Sequence, residues 1–196
     1  MEDQTIEQFI VRVQKGDSSY YVEVVQKYQQ AIYRYCLRLL GNQQDAEDAA
    51  QDIFIKAFES IMQYKNTVSF SSWLYKIAYR HCLNLLRKRK YQLRLLLRLF
   101  TPEVKAESPE QTLDNRLFSP QLMYALTALS PEDRSMLILR IFEERTFEEL
   151  GDIMGCKPEA AKKRVSRMKE KVRKKMAEWQ EELKWDENNQ TIHIKT

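Results

Sequence analysis

From Ala46 to Ile61 the apolar residues fall at 46, 49, 50, 53, 54, 57, 58 and 61, a series that advances three or four positions at a time. Only a helix returns residues so spaced to one side of the backbone, so the stretch predicts an amphipathic helix with one apolar and one acidic face. The same period runs more loosely through Tyr20, Val24, Tyr28, Ala31, Ile32, Tyr35 and Leu39, until Gly41-Asn42 supplies a stop. A third helix, capped by Ser71-Ser72, places Trp73, Ile77, Ala78, Cys82, Leu85 and Leu86 towards one side. Four glycines and five prolines in 196 residues leave little of the turn chemistry that a sandwich or barrel needs. With 43% hydrophobic residues, there is enough apolar material for a buried core. The predicted fold class is all-α, with two small helical domains.

Several function classes drop out early. No apolar run approaches the roughly 20 residues needed to cross a bilayer. The N-terminus opens with Glu2 and Asp3 and has no apolar signal core, which points to a cytoplasmic chain. Cys36, Cys82 and Cys156 lie more than 40 residues apart with no CxxC or CxH pairing, so they read as reduced core thiols and not as a disulfide or zinc framework. His81 and His193 are the only histidines, and no nucleophile–base pair or Gly-rich phosphate loop is visible. His81 reads as a satisfied surface or interface residue, and Glu143-Glu144 as solvated charge at a helix end. The expectation is a non-enzyme with no cofactor and no metal.

Charge carries the functional signal. The net charge is only +4, but from Ser60 through Pro102 there is no Asp or Glu, while nine Lys or Arg are present. A second block, Lys157 to Lys175, holds ten basic residues against Glu159 and Glu170. Asp45 to Glu59 holds five acids and one Lys, and Glu132 to Asp152 holds seven acids and three Arg. A merely solvated surface mixes signs along the chain. Two basic blocks predict two surfaces facing a polyanion, with acidic faces left for a protein partner. In the first block the cations alternate with Tyr64, Phe70, Trp73, Tyr75 and Tyr79, rings that could stack unpaired bases or pack as core. Trp73 is expected to be partly buried.

The sharpest local pattern runs from Thr146 to Trp179. Thr146-Phe147-Glu148-Glu149 is a capping box, and the helix it starts breaks at Gly155-Cys156-Lys157 before Pro158 opens a longer one. Helix, short Gly-containing turn, helix is the geometry of a helix-turn-helix. In the second helix Ala161, Val165, Met168, Val172, Met176 and Trp179 form a packing stripe. Lys162, Lys163, Arg164 and Arg167 take the other faces near its start, where a recognition helix meets base edges and phosphates. Upstream, Leu122, Ala125, Leu126 and Leu129 share a face, and Ser130-Pro131-Glu132-Asp133 starts another helix with a capping Ser and Pro at its first position.

Taken in order, these motifs resemble a known family. Asp45-Ala46-Glu47-Asp48-Ala49-Ala50-Gln51-Asp52-Ile53-Phe54-Ile55-Lys56-Ala57-Phe58 is similar to region 2.2 of bacterial sigma factors. Phe70-Ser71-Ser72-Trp73-Leu74-Tyr75-Lys76-Ile77-Ala78, with Leu85-Leu86-Arg87-Lys88-Arg89-Lys90, resembles their regions 2.3 and 2.4. Leu129 to Arg134, leading to Phe147 through Met154, resembles region 4. The short two-domain form is that of the extracytoplasmic-function (ECF) group.

The resemblance implies a sigma factor that binds core RNA polymerase and directs transcription initiation at a stress- or envelope-responsive regulon. It implies core-polymerase binding through Asp45, Asp48, Gln51, Asp52 and Phe54. Melted −10 DNA falls to Trp73, Lys76, Arg80, Asn84, Arg87 and Lys88, and duplex −35 DNA to Lys157, Lys162, Lys163, Arg164 and Arg167. An anti-sigma factor is the further partner implied, one that could hold the chain at a membrane without insertion. The chain departs from the family at Arg80 and Asn84, at Cys156-Lys157 in the turn, and at Glu159-Ala160-Ala161, which predicts an unusual promoter sequence.

The expected organisation is a region 2-like domain over 5–92, a linker over 93–119, a region 4-like domain over 120–182 and a polar tail over 183–196. The basic, apolar segment Leu93 to Phe100 could extend the third helix, lie on a membrane or cover a partner's groove. An alternative reading is a free-standing helix-turn-helix regulator, which accounts for 121–180 but not for the acidic helix or the first basic block. A membrane-surface scaffold using Leu93 to Phe100 is the third.

Overall fold

The computed structural model describes residues 2–99 and 118–193, with side chains over 6–95 and 118–181. Eight α-helices follow one another among the described residues: α1 (Glu2–Gln14), α2 (Tyr21–Leu40), α3 (Gln43–Ser60), α4 (Phe70–Leu99), α5 (Pro120–Thr127), α6 (Pro131–Ile141), α7 (Phe147–Met154) and α8 (Pro158–His193). Short 3-10 turns occupy Ser18–Tyr20 and Ile61–Gln63. No strand occurs among the described residues.

Local chemistry sets most of the boundaries. Gly41, at φ 74°, closes α2 by donating its N–H to the Leu37 carbonyl, and the Asn42 side chain then caps α3. Ser69, not Ser71-Ser72, starts α4: its hydroxyl accepts the Ser72 N–H at 3.2 Å. The Ser130 and Thr146 caps form as the sequence indicates, with both reciprocal bonds of the capping box present. α4 continues to Leu99 because no Gly or Pro intervenes before Pro102, so the start of the segment expected as linker extends the third helix. By the same logic α8 runs to His193 through residues expected as a tail. Phe100, and residues 100–117 generally, lie outside the described residues.

The first unit packs α1, α2, α3 and α4 around Ile10, Ile32, Tyr35, Leu39, Ile53 and Leu74. The second packs α5, α6 and α7 against α8 through Leu126, Met136, Leu139, Leu150, Val165 and Met168. The two units also touch. α6 contacts α2 and α4, and α7 contacts α4.

Candidate nucleic-acid and polymerase interfaces

On α8 the buried stripe forms as expected: Ala161, Val165, Met168 and Val172 are buried, and the Trp179 ring packs at a tilt against Tyr124, 5.0 Å between ring centroids. The turn before it is tight. Gly155 holds φ 71°, a left-handed conformation that a Cβ disfavours, and donates to the Gly151 carbonyl at 2.8 Å. A Cβ on Gly151 would lie 2.7 Å from the Cys156 carbonyl oxygen, so the close approach of the two helices requires glycine there. This geometry leaves Lys157, Lys162, Lys163, Arg164 and Arg167 exposed around the start of α8. Arg164 is tied at 2.5 Å to Asp133, while the other four have no ion-pair partner among the described residues. They form an uncompensated cationic surface around the start of α8, of the kind that suits a polyanion.

On α4 the residues Trp73, Lys76, Arg80, Asn84 and Arg87 advance by three or four positions and make one stripe, with Lys88 one turn after Asn84. Arg80, Asn84, Arg87 and Lys88 are exposed, and Trp73 and Lys76 half-buried. Arg87 reaches Glu132 of α6 at 3.2 Å. The neighbouring aromatics divide. Tyr64, Phe70 and Tyr75 are core residues, with Tyr64 edge-on to Phe70 at 5.3 Å and Tyr75 edge-on to Tyr35 at 5.7 Å. They cannot stack bases. Only Trp73 and Tyr79 of the five rings keep accessible area.

The acidic face of α3 presents Asp48, Gln51 and Asp52 to solvent, whereas Asp45 is half-buried in an ion pair with Arg89. Phe54 is not an outward contact: it is only 8% exposed and its carbonyl accepts the Tyr21 hydroxyl at 2.7 Å. Its edge instead floors a groove of about 600 Å³ between α2 and α3, lined by Val25, Gln29, Tyr33, Gln51 and Ile55. Ile55, 57% exposed beside that groove, is the residue the periodicity missed, since it falls outside the apolar series. Phe58, inside the series, is nonetheless exposed at the α3 end, its ring tilted against that of Tyr21 at 4.9 Å between centroids.

Two further sequence readings change. His81 is buried between α3 and α4. Its Nδ1 faces the Lys56 ammonium at 2.5 Å, Asp52 lies 3.7 Å from Nε2, and Nε2 has no hydrogen-bond partner. Burial first, then the Lys56 charge, lower its pKa below the ordinary histidine value. Glu143 is not solvated: its side chain is 4% exposed, and it accepts from Arg38 and from the Tyr75 hydroxyl, each at 2.7 Å. Burial, then the Glu143 carboxylate, raise the Tyr75 phenol well above its ordinary value, so it remains a donor.

Cys36 and Cys82 are buried free thiols with their Sγ atoms 3.7 Å apart, and Cys156 is half-buried. The neighbouring Cys82 thiol, then burial, push the Cys36 pKa up and keep it protonated. No cluster of His, Cys, Asp or Glu among the described residues has metal-site spacing, and no described helix is long and apolar enough to cross a membrane.

Comparison with known proteins agrees with this geometry. Residues 24–91 match the family model for Sigma-70 region 2, and residues 119–172 that for Sigma-70, region 4. The chain is 31% identical over 169 residues to the RNA polymerase sigma factor YlaC of Bacillus subtilis, covering 82% of this chain and 94% of that one. It is 29% identical over 180 residues to the ECF RNA polymerase sigma factor SigW of the same organism, covering 87% and 96%. The fold resembles that of the sigma factor RpoE solved in complex with the anti-sigma factor NepR from Bartonella quintana, at TM-score 0.63 and 22% identity over 80% of this chain and 96% of that one. It also resembles CnrH in complex with the cytosolic domain of CnrY, at TM-score 0.62 and 18% identity over 84% and 92%.

Proposed function

Since the chain belongs to the sigma-70 family of RNA polymerase sigma factors and resembles its ECF members over nearly their whole length, we propose that it binds core RNA polymerase and directs transcription initiation at its own set of promoters. The observation that carries this is the order of surfaces in one chain: an acidic, grooved α3 face, a cation stripe on α4, and a capped helix-turn-helix with unpaired cations at its second helix.

Each surface has a task that its chemistry suits. The α3 face docks on core polymerase through Asp48, Gln51 and Asp52, with Asp45 held by Arg89 behind them and the Phe54–Ile55 groove taking an apolar side chain of the partner. The α4 stripe engages the melted −10 element. Arg80, Arg87 and Lys88 contact phosphates, Asn84 and Lys76 reach base edges, and Trp73 offers a ring to an unstacked base. The start of α8 reads the −35 duplex through Lys157, Lys162, Lys163, Arg164 and Arg167, where Lys and Arg can donate to guanine and to phosphate oxygens. The boundaries 5–92, 93–119, 120–182 and 183–196 then separate the −10 unit, the connector, the −35 unit and the tail.

Such a protein is a regulator of transcription and does its work by binding, in the cytoplasm where polymerase and DNA are. An anti-sigma factor is the further partner, a reading supported by the similar sigma factor solved with one. The test is in-vitro transcription with purified bacterial core polymerase on fragmented genomic DNA of the host, with and without the protein. Discrete new transcripts sharing upstream elements are expected. Sequence-specific binding without polymerase, and no polymerase complex, would replace this reading with a free-standing helix-turn-helix regulator.

A further inference from the structure

α4 outlasts the core it helps to build. Cys82 and Leu83 are buried, and Leu85 and Leu86 still pack against the core, but no residue from Arg87 to Leu95 is buried. The helix nevertheless continues to Leu99, so about 20 Å of it, at about 1.5 Å per residue, runs on past the last core contact. On this stretch Tyr91 is 69% exposed and Leu95 46%, two large apolar side chains left open to solvent.

The extension is cationic and apolar together. Lys90, Arg94 and Arg98 follow one another at intervals of four and fall on one line of the helix by register, while five leucines between 93 and 99 take the rest of the circumference. Arg87 and Arg89, nearer the core, are met by Glu132 and Asp45, but Lys90 and Arg94 are exposed and have no ion-pair partner among the described residues. With no Asp or Glu from Ser60 through Pro102, the segment holds nothing that would neutralise them.

Few occupants suit both the charges and the leucines. A polynucleotide takes the cations but buries no leucine. A second copy of the segment buries leucine but sets like charges against one another, with no acid on either copy to offset them. A bilayer surface with anionic headgroups accepts both, since leucines enter the boundary between headgroups and acyl chains while long Lys and Arg side chains reach back to the phosphates. We propose that the end of α4, from Lys90 to Leu99, is a lipid-docking helix that lies along an anionic membrane surface without crossing it. Each cation close to such a surface strengthens binding about fivefold. The docking is reversible, because so short a helix buries few side chains. It is independent of the chain's role in transcription.

Flotation of the full chain with lipid vesicles tests this. Vesicles of phosphatidylglycerol and phosphatidylcholine in equal parts are compared with vesicles of phosphatidylcholine alone. The wild type is expected to bind the anionic vesicles about tenfold or more tighter than the neutral ones. Lys90→Glu combined with Arg94→Glu reverses two exposed charges and is expected to weaken binding by about 25-fold or more, with helicity by circular dichroism unchanged. Should that variant lose helicity, Lys90→Gln with Arg94→Gln removes the same charges. Leu95→Gln removes no charge and is expected to cost about fivefold, the share left to a side chain already half covered. A wild type that does not float, or floats equally with both vesicles, overturns the proposal. A charge-reversed variant that floats unchanged places the contact on the α8 cations and overturns it too. So does an unaffected Leu95→Gln, since charge alone would then hold the chain. Loss of core-polymerase affinity in Leu95→Gln, in a chain that does not float, assigns the segment to a partner's groove instead.

Discussion

The hydroxyl of Tyr35 on α2 and that of Ser135 on α6 meet at 2.7 Å, both fully buried, across 100 residues of sequence. Each hydroxyl, removed alone, leaves the other without its partner in an interior that offers no water. Tyr35→Phe and Ser135→Ala are each expected to cost about 1–3 kcal/mol in urea unfolding. The double variant is expected to cost less than the sum, because the second deletion removes the group the first one stranded. Additive losses in the cycle would mean that the two hydroxyls do not depend on each other.

That pair also marks where sequence reading stops. Caps, stops and the helix-turn-helix were legible because their partners lie within four residues: Ser130 with Asp133, Thr146 with Glu149, Gly155 with Gly151. The α8 stripe was legible because periodicity encodes which face is buried. What periodicity cannot encode is which distant element covers a face. Glu143 sits among exposed acids in the sequence, and only the approach of α2 and α4, contributing residues 105 and 68 positions away, turns it into a buried acceptor. Phe54 and Ile55 are adjacent and equally apolar, and the placement of α2 decides that the first is floor and the second is rim. The aromatic run from Tyr64 to Tyr79 left both readings open for a related reason, since rings at helical spacing fill a core as readily as they line a groove.

His81 makes stability depend on pH. The group is buried with Lys56 at one nitrogen and Asp52 near the other, and its folded pKa lies below the ordinary value of 6.5. The unfolded chain therefore binds the proton first, so stability rises with pH. Its contribution is complete above about pH 6.5 and is lost as pH falls through the folded value. Melting temperatures taken between pH 5.5 and 7.5, about one unit either side of that value, are expected to fall towards acid, and His81→Leu to flatten the slope. An equal slope in the variant would place the titration elsewhere.

The helix-turn-helix tolerates its two glycines being changed to different degrees. Gly151→Ala forces a methyl against the Cys156 carbonyl, a backbone atom that cannot rotate aside, and is expected to cost about 1–3 kcal/mol. Gly155→Ala meets open space and bears only the left-handed strain of φ 71°, about 1 kcal/mol. Thermal unfolding ranks the two, and a milder effect at Gly151 would deny the close approach drawn above.

On α3, charge and groove are separable. Asp48→Lys leaves the core untouched, since Asp48 is exposed, and is expected to weaken core-polymerase binding about tenfold by reversing a rim charge. Ile55→Asp tests the apolar groove, with a similar or larger loss from an exposed side chain whose replacement does not disturb the helix. Fluorescence titration with labelled core polymerase reads both. Unchanged affinity in both variants, with helicity intact, would remove α3 from the docking surface.

At the start of α8 the cations are expected to act through phosphates, bases or both, and salt tells them apart. Each phosphate contact contributes about 0.9 to the slope of log affinity against log salt, because it releases condensed counterions. Lys163→Ala and Arg167→Ala break no ion pair within the described residues, so their effects report on DNA and not on folding. If both side chains hold phosphates, each variant flattens the slope by about 1 and weakens every −35 sequence alike. If one reads a base, that variant leaves part of the slope in place and relaxes the preference at a single position by about 1–3 kcal/mol. Footprints of the polymerase complex over a randomised −35 element, repeated at two salt concentrations, separate these outcomes. An upstream footprint unaltered in both variants would take the start of α8 out of promoter recognition altogether.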